Sequence, residues 1–291
     1  MTSLHDLSAL EQAGAVRCGE TSALDLVEHY AARIERLDAA VGAFVTLTLD
    51  AARAQAKEED AAVAAGEDLP PLHGVAIGIK DLNLTAGVST GFGSPVFAGF
   101  VPPLSDFVVD KLRAAGTVSL GKTSTPEFGL PCYTEPEGTP PARTPWDLTR
   151  SAGGSSGGAA AAVAAGLLPF AQGSDGGGSI RIPASACGLF GLKPARGRIS
   201  AGPVVGDISG LATNGPLART VRDAAALLDA MAGPMPGDPH WAAPPAQSFL
   251  SACDEPPGRL RIGRYCDNGL AVGGLHPDVQ AAYDAATLLL T

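Results

Sequence analysis

The sequence predicts an α/β fold in which helices alternate with strands around a largely buried sheet. Segments with helical periodicity are separated by short apolar runs, the pattern of strands that are joined by helices. Apolar residues make up 45% of the 291 residues and charged residues 17%, which is enough apolar material for a sizeable core. No apolar run approaches the roughly 18 residues that a membrane-spanning helix needs.

The first helix is predicted from its start signal. Ser22 is the expected N-cap and Asp25 completes a capping box, so the helix extends over 22–37. The segments that follow are a strand at 43–49, a helix at 51–65, a strand at 74–80, a helix at 105–115, a strand at 117–120, a helix at 157–165, a strand at 167–172, a helix at 220–231, a strand at 259–265 and a helix at 277–291. Residues 131–150, rich in Pro, Thr and Glu, are expected to form an irregular surface loop.

Charge and composition exclude several classes of function. The net charge is −10, and no Lys/Arg run provides the basic patch of a nucleic-acid-binding protein. The five cysteines form no C-x-x-C pair and the five histidines show no ligand spacing, so neither a disulfide scaffold nor a metal site is expected. The N-terminus lacks the basic and apolar regions of a signal peptide, which predicts a cytoplasmic protein.

Residues 116–123, GTVSLGKT, match the phosphate-binding pattern G-x-x-x-x-G-K-[ST]. That loop must follow a strand and open a helix, so that the helix N-terminus faces the phosphate. Here a predicted helix precedes Gly116 and the middle of the motif is itself strand-like. The segment is therefore interpreted as structural, without a nucleotide.

Residues 153–158, GGSSGG, contain G-x-S-x-G twice, centred on Ser155 and on Ser156. A nucleophile elbow needs a strand directly before it, and residues 143–152 are not strand-like. His240 and His276 lie downstream, as a Ser-His-Asp esterase of the α/β-hydrolase type would need. That interpretation is kept as one alternative.

Residues 173–179, GSDGGGS, form the second serine-bearing loop. Successive glycines let the backbone approach a ligand closely, and their N–H groups can form an anion-holding concavity. Between Ser155 and Ser179 lie a helix of roughly 15 Å and a returning strand of roughly 20 Å. Both serines are therefore expected at one end of the domain, where α/β proteins build their sites.

The two loops resemble the amidase signature family in order and spacing. The matching segments are GGSSGG at 153–158, GSDGGGSIRIPA at 173–184, CGLFGLKP at 187–194, GVAIGIKD at 74–81, GKTSTPEFG at 121–129 and GPLARTVRDAAALLDAMAG at 215–233. Residues 197–220 look more like stand-alone bacterial amidases than like the glutamine amidotransferase A subunit.

The resemblance implies a mixed β-sheet core covered by α-helices on both sides. It further implies a single domain over 1–291, with an N-terminal helical region at about 1–65 and a catalytic core at about 70–291. Family members extend further, so the C-terminal part of the family domain is expected to be missing.

The resemblance also implies a Ser–cisSer–Lys triad. By matching positions, Ser179 is the nucleophile, Ser155 the bridging serine with a cis peptide bond, and Lys80 the base. The oxyanion hole comprises the N–H groups of Gly176, Gly177, Gly178 and Ser179. Supporting roles fall to Ser156, Ser174, Asp175 and Arg181. Lysine ordinarily has a pKa of about 10.4, so burial must lower that pKa before Lys80 can act as a base.

The implied activity is hydrolysis of carboxylic amides through an acyl-enzyme, with esters, anilides and carbamates left open as further substrates. The expected partners are a small amide or ester and water, with neither nucleic acid nor cofactor, and a homodimer is left open. A second alternative is a partner-dependent amidotransferase A-type subunit or an inactive fragment.

Overall fold

The computed structural model describes residues 3–204, 210–265 and 275–290. The chain divides into two units, Met1–Asp254 and Glu255–Thr291. The expectation of one domain over the whole chain stays a prediction.

Within the described residues of the first unit, six strands form one mixed sheet in the order β1-β3-β2-β4-β6-β5. The strands are β1 (Phe44–Leu47), β2 (Ala76–Lys80), β3 (Val118–Thr123), β4 (Phe170–Asp175), β5 (Phe190–Gly191) and β6 (Thr213–Ala218). Strand β2 is central and parallel to both neighbours, β3 and β4, whereas β1, β5 and β6 pair antiparallel. The sheet is therefore mixed, as the resemblance implied.

Helices of the first unit pack on both faces of this sheet. They are α1 (Ala9–Arg17), α2 (Ala23–Val41), α3 (Leu49–Ala65), α4 (Phe107–Ala114), α5 (Gly157–Ala164), α6 (Arg181–Cys187), α7 (Val221–Met231) and α8 (Phe249–Ala252). One apolar cluster joins α2 and α5 to one face, and a second joins α1, α4 and α7 to the other. Alternate residues of β2 serve the two clusters, since Ala76 lies in the first and Ile77 in the second.

Local sequence signals account for several of these elements. Ser22 accepts from the N–H of Asp25 and begins α2 with the predicted capping box, and Thr220 caps α7 in a similar way. Helix α5 consists of small residues, and each of its first seven residues is buried. Strand β3 follows α4 and includes Lys122, so the phosphate-loop pattern has the helix–strand order that argued against a nucleotide.

Some predictions were wrong in detail. The strand expected at 167–172 is β4, which begins three residues later at Phe170. Residues 259–265 form no strand. The sequence signals do not predict helices α1, α6 and α8 or strands β5 and β6.

In the second unit, helix α9 (Pro277–Leu289) forms where a helix was predicted. The hydroxyl of Tyr283 on α9 accepts from the N–H of Tyr265 and donates to its carbonyl. Cys266 lies outside the described residues. Across the described ranges of both units, no helix has the length and apolar character to cross a bilayer.

Candidate active site

Three segments meet at one end of the sheet. Strand β2 ends at Lys80, strand β4 ends at Asp175, and the GGSSGG segment leads into α5. The N–H of Ser156 donates to the carbonyl of Ser179 at 3.1 Å, which joins the two serine-bearing loops directly. The expectation that both serines lie at one end of the domain is therefore confirmed.

Lys80 is fully buried and reaches toward the serines. Its Nζ lies 2.8 Å from Ser155 Oγ and 3.1 Å from Ser174 Oγ. Burial lowers the pKa of Lys80 to about 7, although the carboxylate of Asp175 acts in the opposite direction. A substantial fraction of Lys80 is thus neutral near pH 7, and a neutral amine can accept a proton from a serine hydroxyl.

Ser155 is also buried, and the peptide bond between Gly154 and Ser155 is cis. A hydroxyl both donates and accepts, so Ser155 can give a proton to a neutral Lys80 while it accepts one from another group. In this structure the partner of Ser155 is a lysine, whereas the Ser-His-Asp alternative would need a histidine at that place.

Ser156 ties the GGSSGG segment to strand β4. Its Oγ accepts from the N–H of Ser174 and donates to the carbonyl of the same residue, both at 3.3 Å. Because Ser174 also contacts Lys80, this pair of hydrogen bonds sets the distance between the strand and the segment that contains Ser155.

Asp175 organises the glycine loop that follows it. Arg181 donates twice to this buried carboxylate, from Nε and from one terminal nitrogen, each at 2.9 Å. Burial on its own would raise the pKa of Asp175. The hydrogen bonds from Arg181 and from the N–H groups of Gly178 and Ile180 outweigh that effect and lower the pKa to about 2. Asp175 is therefore ionised at neutral pH and holds the loop in one shape.

The geometry of the glycine loop changes the set of oxyanion-hole donors that the sequence predicts. The N–H of Gly178 donates to Asp175 Oδ1 at 2.7 Å, so it is already occupied within the loop. In the described part of the chain, the N–H groups of Gly176, Gly177 and Ser179 have no hydrogen-bond partner. The same holds for the hydroxyl of Ser179, and the residue is partly exposed. Of the predicted oxyanion-hole donors, Gly178 is therefore the one that this structure does not favour.

Sequence reasoning missed a group of buried amides beside Lys80. Gln172 Oε1 accepts from the backbone N–H of Lys80 at 2.9 Å. Gln172 Nε2 donates to Asn83 Oδ1 at 2.9 Å and to Asn214 Oδ1 at 2.8 Å. These residues are far apart in the chain and match no motif, so no local signal could have identified them.

A second buried lysine lies on the neighbouring strand. Lys122 donates to the carbonyl of Asn83 and to Thr90 Oγ1, and its Nζ lies 3.9 Å from Asp81 Oδ1. Burial lowers the pKa of Lys122 to about 8, opposed by the carboxylates of Asp81 and Asp106. Burial raises the pKa of Asp81 to about 6, opposed by Lys122 and by N–H groups of 91–93.

Two other kinds of site, a metal centre and a cysteine nucleophile, can be compared with the described residues. They contain no cluster of three or more His, Cys, Asp or Glu side chains that could bind a metal. Cys187 is buried, and burial raises the pKa of its thiol to about 11, which disfavours the nucleophilic thiolate.

Comparison with known proteins gives the family. Residues 25–291 match the Amidase family. The chain belongs to the amidase family. A protein of Synechocystis sp. named "Putative amidase" is 47% identical over 265 residues, which are 90% of this chain and 52% of that protein. The A subunit of a glutamyl-tRNA(Gln) amidotransferase from Synechococcus sp. is 45% identical over 274 residues, which are 94% of this chain and 56% of that protein.

A solved structure confirms the fold assignment. The chain matches 6-aminohexanoate cyclic dimer hydrolase with a TM-score of 0.92 and 39% identity, over 100% of this chain and 59% of the hydrolase. The chain spans 52%, 56% and 59% of the lengths of these three relatives, a little over half of each. The Synechocystis protein and the Synechococcus subunit differ by two percentage points in their identity to this chain, 47% against 45%.

Proposed function

We propose that the protein is a serine hydrolase that cleaves carboxylic amides through an acyl-enzyme on Ser179. The observation that carries this proposal is the buried Lys80, whose Nζ lies 2.8 Å from Ser155 Oγ. A lysine held without a carboxylate in contact, at a pKa of about 7, is suited to serve as a base. Family membership and the neighbouring loop with Ser179 agree with this role.

In the proposed reaction, Ser179 Oγ attacks the carbonyl carbon of the amide. As the new C–O bond forms, the hydroxyl proton of Ser179 passes to Ser155, and the proton of Ser155 passes to neutral Lys80. In the present structure the step from Ser179 to Ser155 is not preformed, and substrate would draw the two hydroxyls together.

The carbonyl oxygen becomes an oxyanion, which accepts from the free N–H groups among those of Gly176, Gly177 and Ser179. Each well-placed donor of this kind contributes about 3 kcal/mol to the lowering of the barrier. Collapse of the intermediate breaks the C–N bond, and the proton on Lys80 returns through Ser155 to the leaving amine. Water then attacks acyl-Ser179 with the same base, which releases the acid and restores the serine. Esters, anilides and carbamates can follow the same sequence with a different leaving group.

Labelling with a fluorophosphonate, which modifies activated serines, tests the proposal. Peptide mapping by mass spectrometry is expected to place the label on Ser179, and Ser179→Ala is expected to lose both the label and hydrolysis of an aryl amide. Ser248→Ala, which removes the cap of α8, is the matched control and should keep both. A label on another serine, or hydrolysis by Ser179→Ala at the unmutated rate, would refute the assignment.

The second candidate is a partner-dependent component of an amidotransferase, which the 45% identity to an amidotransferase A subunit favours. The two functions differ in a simple measurement. Hydrolysis of an aryl amide by the purified protein without any partner supports the stand-alone amidase. Hydrolysis that begins only when the other amidotransferase components are added supports the second candidate.

A further inference from the structure

Strands β2 and β4 separate just before the site. Their ladder pairs Ile77 with Phe170 and Gly78 with Ala171 and then stops, although β2 continues to Lys80 alongside β3. Beyond Gly78 the side chain of Gln172 connects the two strands. Its Oε1 accepts from the N–H of Lys80 at 2.9 Å, where a carbonyl of β4 would accept in a continuing ladder.

The orientation of this amide is determined by its surroundings. The backbone N–H of Lys80 can only donate, so the oxygen of Gln172 must face it and the nitrogen must face Asn83. Asn83 in turn donates from Nδ2 to Asp106 Oδ2 at 3.0 Å, and the same oxygen accepts from the N–H of Leu84, also at 3.0 Å. Each hydrogen bond along the path from Lys80 through Gln172 and Asn83 to Asp106 therefore has a defined donor and acceptor. Reversing the oxygen and nitrogen of either amide would break it.

The consequence for the site lies in what the two strands carry. Strand β4 carries Ser174 two residues after Gln172, and β2 ends with Lys80. The distances from Lys80 Nζ to Ser155 Oγ and Ser174 Oγ depend on how far the two strand ends lie apart. A buried, fully paired glutamine holds that separation more tightly than an apolar side chain could, because hydrogen bonds are directional.

We propose that Gln172 is a positioning residue for amide hydrolysis, which replaces the missing ladder hydrogen bond between β2 and β4 and thereby holds Lys80 against Ser155 and Ser174. This inference rests on the proposed role of Lys80. Gln172 does not contact the reacting atoms in this scheme, and it acts through the backbone of Lys80.

The test compares two buried glutamines. Gln172→Met keeps the length of the side chain but removes its hydrogen bonds, and kcat for an aryl amide is expected to fall about 10- to 100-fold. KM should stay within about threefold, since the substrate-binding surface is unchanged. Gln12→Met is the matched control, because Gln12 is also buried and donates to Tyr30 Oη at 2.7 Å from helix α1. It should lose thermal stability but keep kcat.

Asn83→Ala extends the test along the same hydrogen-bonded path. It should lower kcat without raising KM, and adding it to Gln172→Met should lower kcat little further, because both changes break one path. If Gln172→Met does not fold, Asn83→Ala alone decides.

Unchanged kcat in folded Gln172→Met, an equal loss in Gln12→Met, or losses that multiply in the double variant would each overturn the proposal. Ser179→Ala, measured in parallel, separates the two ideas. An active Ser179→Ala refutes the proposed function. An inactive Ser179→Ala together with an unaffected Gln172→Met refutes the positioning role alone.

Discussion

Lys80 and Lys122 lie on adjacent parallel strands, both are buried, and their surroundings differ in one respect. The partners of Lys80 are two serine hydroxyls and a carbonyl of Ser174, and the Asp175 carboxylate acts on it without a hydrogen bond. The partners of Lys122 include the carbonyl of Asn83, and the carboxylate of Asp81 lies at 3.9 Å. The pKa is about 7 for Lys80 and about 8 for Lys122, so burial acts on both.

The comparison teaches that burial alone does not produce a base. Each lysine contacts a carbonyl, which can only accept, and a hydroxyl, which can accept or donate. The difference is the Asp81 carboxylate, which lies 3.9 Å from Lys122 Nζ and favours a charged Lys122. The two serine hydroxyls beside Lys80 Nζ accommodate either protonation state. Lys80 is thus expected to be needed for reaction, and Lys122 for the stability of the loop at 81–93.

The largest expected effect concerns activity when each lysine is replaced. Lys80→Met should lower kcat/KM for an aryl amide by at least about 10³-fold, because the base is lost. Lys122→Met should lower it by no more than about tenfold, through a shift of the loop that includes Asn83. Steady-state kinetics on folded variants would measure this. Equal losses in the two variants would contradict the distinction.

Removing one neighbouring hydroxyl that contacts each lysine is expected to have a smaller effect. Ser155→Ala should lower kcat by roughly 10²- to 10³-fold, because proton transfer between Ser179 and Lys80 loses its intermediate. Thr90→Val removes a hydroxyl at 2.9 Å from Lys122 Nζ and should leave kcat within about twofold. The same kinetic assay applies. Near-normal kcat in Ser155→Ala would show that the relay is not used.

Stability should show the reverse order. Lys122→Met leaves the Asp81 carboxylate buried without its counter-charge, and the free energy of unfolding should fall by about 3 kcal/mol. Lys80→Met replaces a buried group that is partly neutral at pH 7, so the loss should be about 1 kcal/mol or less. Urea unfolding measures both. Asp81→Asn combined with Lys122→Met should recover part of the loss, and failure to recover it would argue against the ion pair.

The dependence on pH gives the smallest but most specific effect. Lys80 is neutral above its pKa and charged below it, so kcat/KM should decline as pH falls through about 7. Below that point the decline should approach about tenfold per pH unit. Lys122→Met should keep this acidic limb in place. A profile that is flat between about pH 5.5 and 8 would remove Lys80 as the titrating base.

The parts of the fold that could be predicted from sequence are those with local signals. The capping residues of α2 and α7 lie within three positions of the groups they cap, so the pattern alone located both helices. Strand β6 has the sequence TNGPLA. Gly and Pro are uncommon inside strands, so this sequence does not predict a strand, although one forms by pairing with β4. Residues 259–265 have strand-like composition but form no strand, since strand formation needs a partner as well as propensity.

In the candidate site too, some residues could be predicted from the sequence and others could not. Ser155 and Ser179 belong to glycine-rich loops that chain geometry places together, and the resemblance to a family added Lys80. Gln172 and Asn83 lie 89 residues apart and meet only because β2 and β4 are neighbours in the sheet. The occupied N–H of Gly178 likewise follows from how Asp175 folds its loop, which no sequence pattern shows.

The small-residue helix α5 limits which substitutions can accumulate beside the site during evolution. A Cβ atom added at Gly158 would lie 2.3 Å from the N of Ser124, and one added at Gly157 would lie 2.3 Å from Thr134 Oγ1. No larger side chain fits there without moving backbone or a buried threonine. A saturation library over this helix should therefore return glycine at positions 157 and 158, since even alanine adds the clashing Cβ atom. Ser155, two residues before this helix, would then keep its position, while substitutions accumulate in exposed parts of the surface.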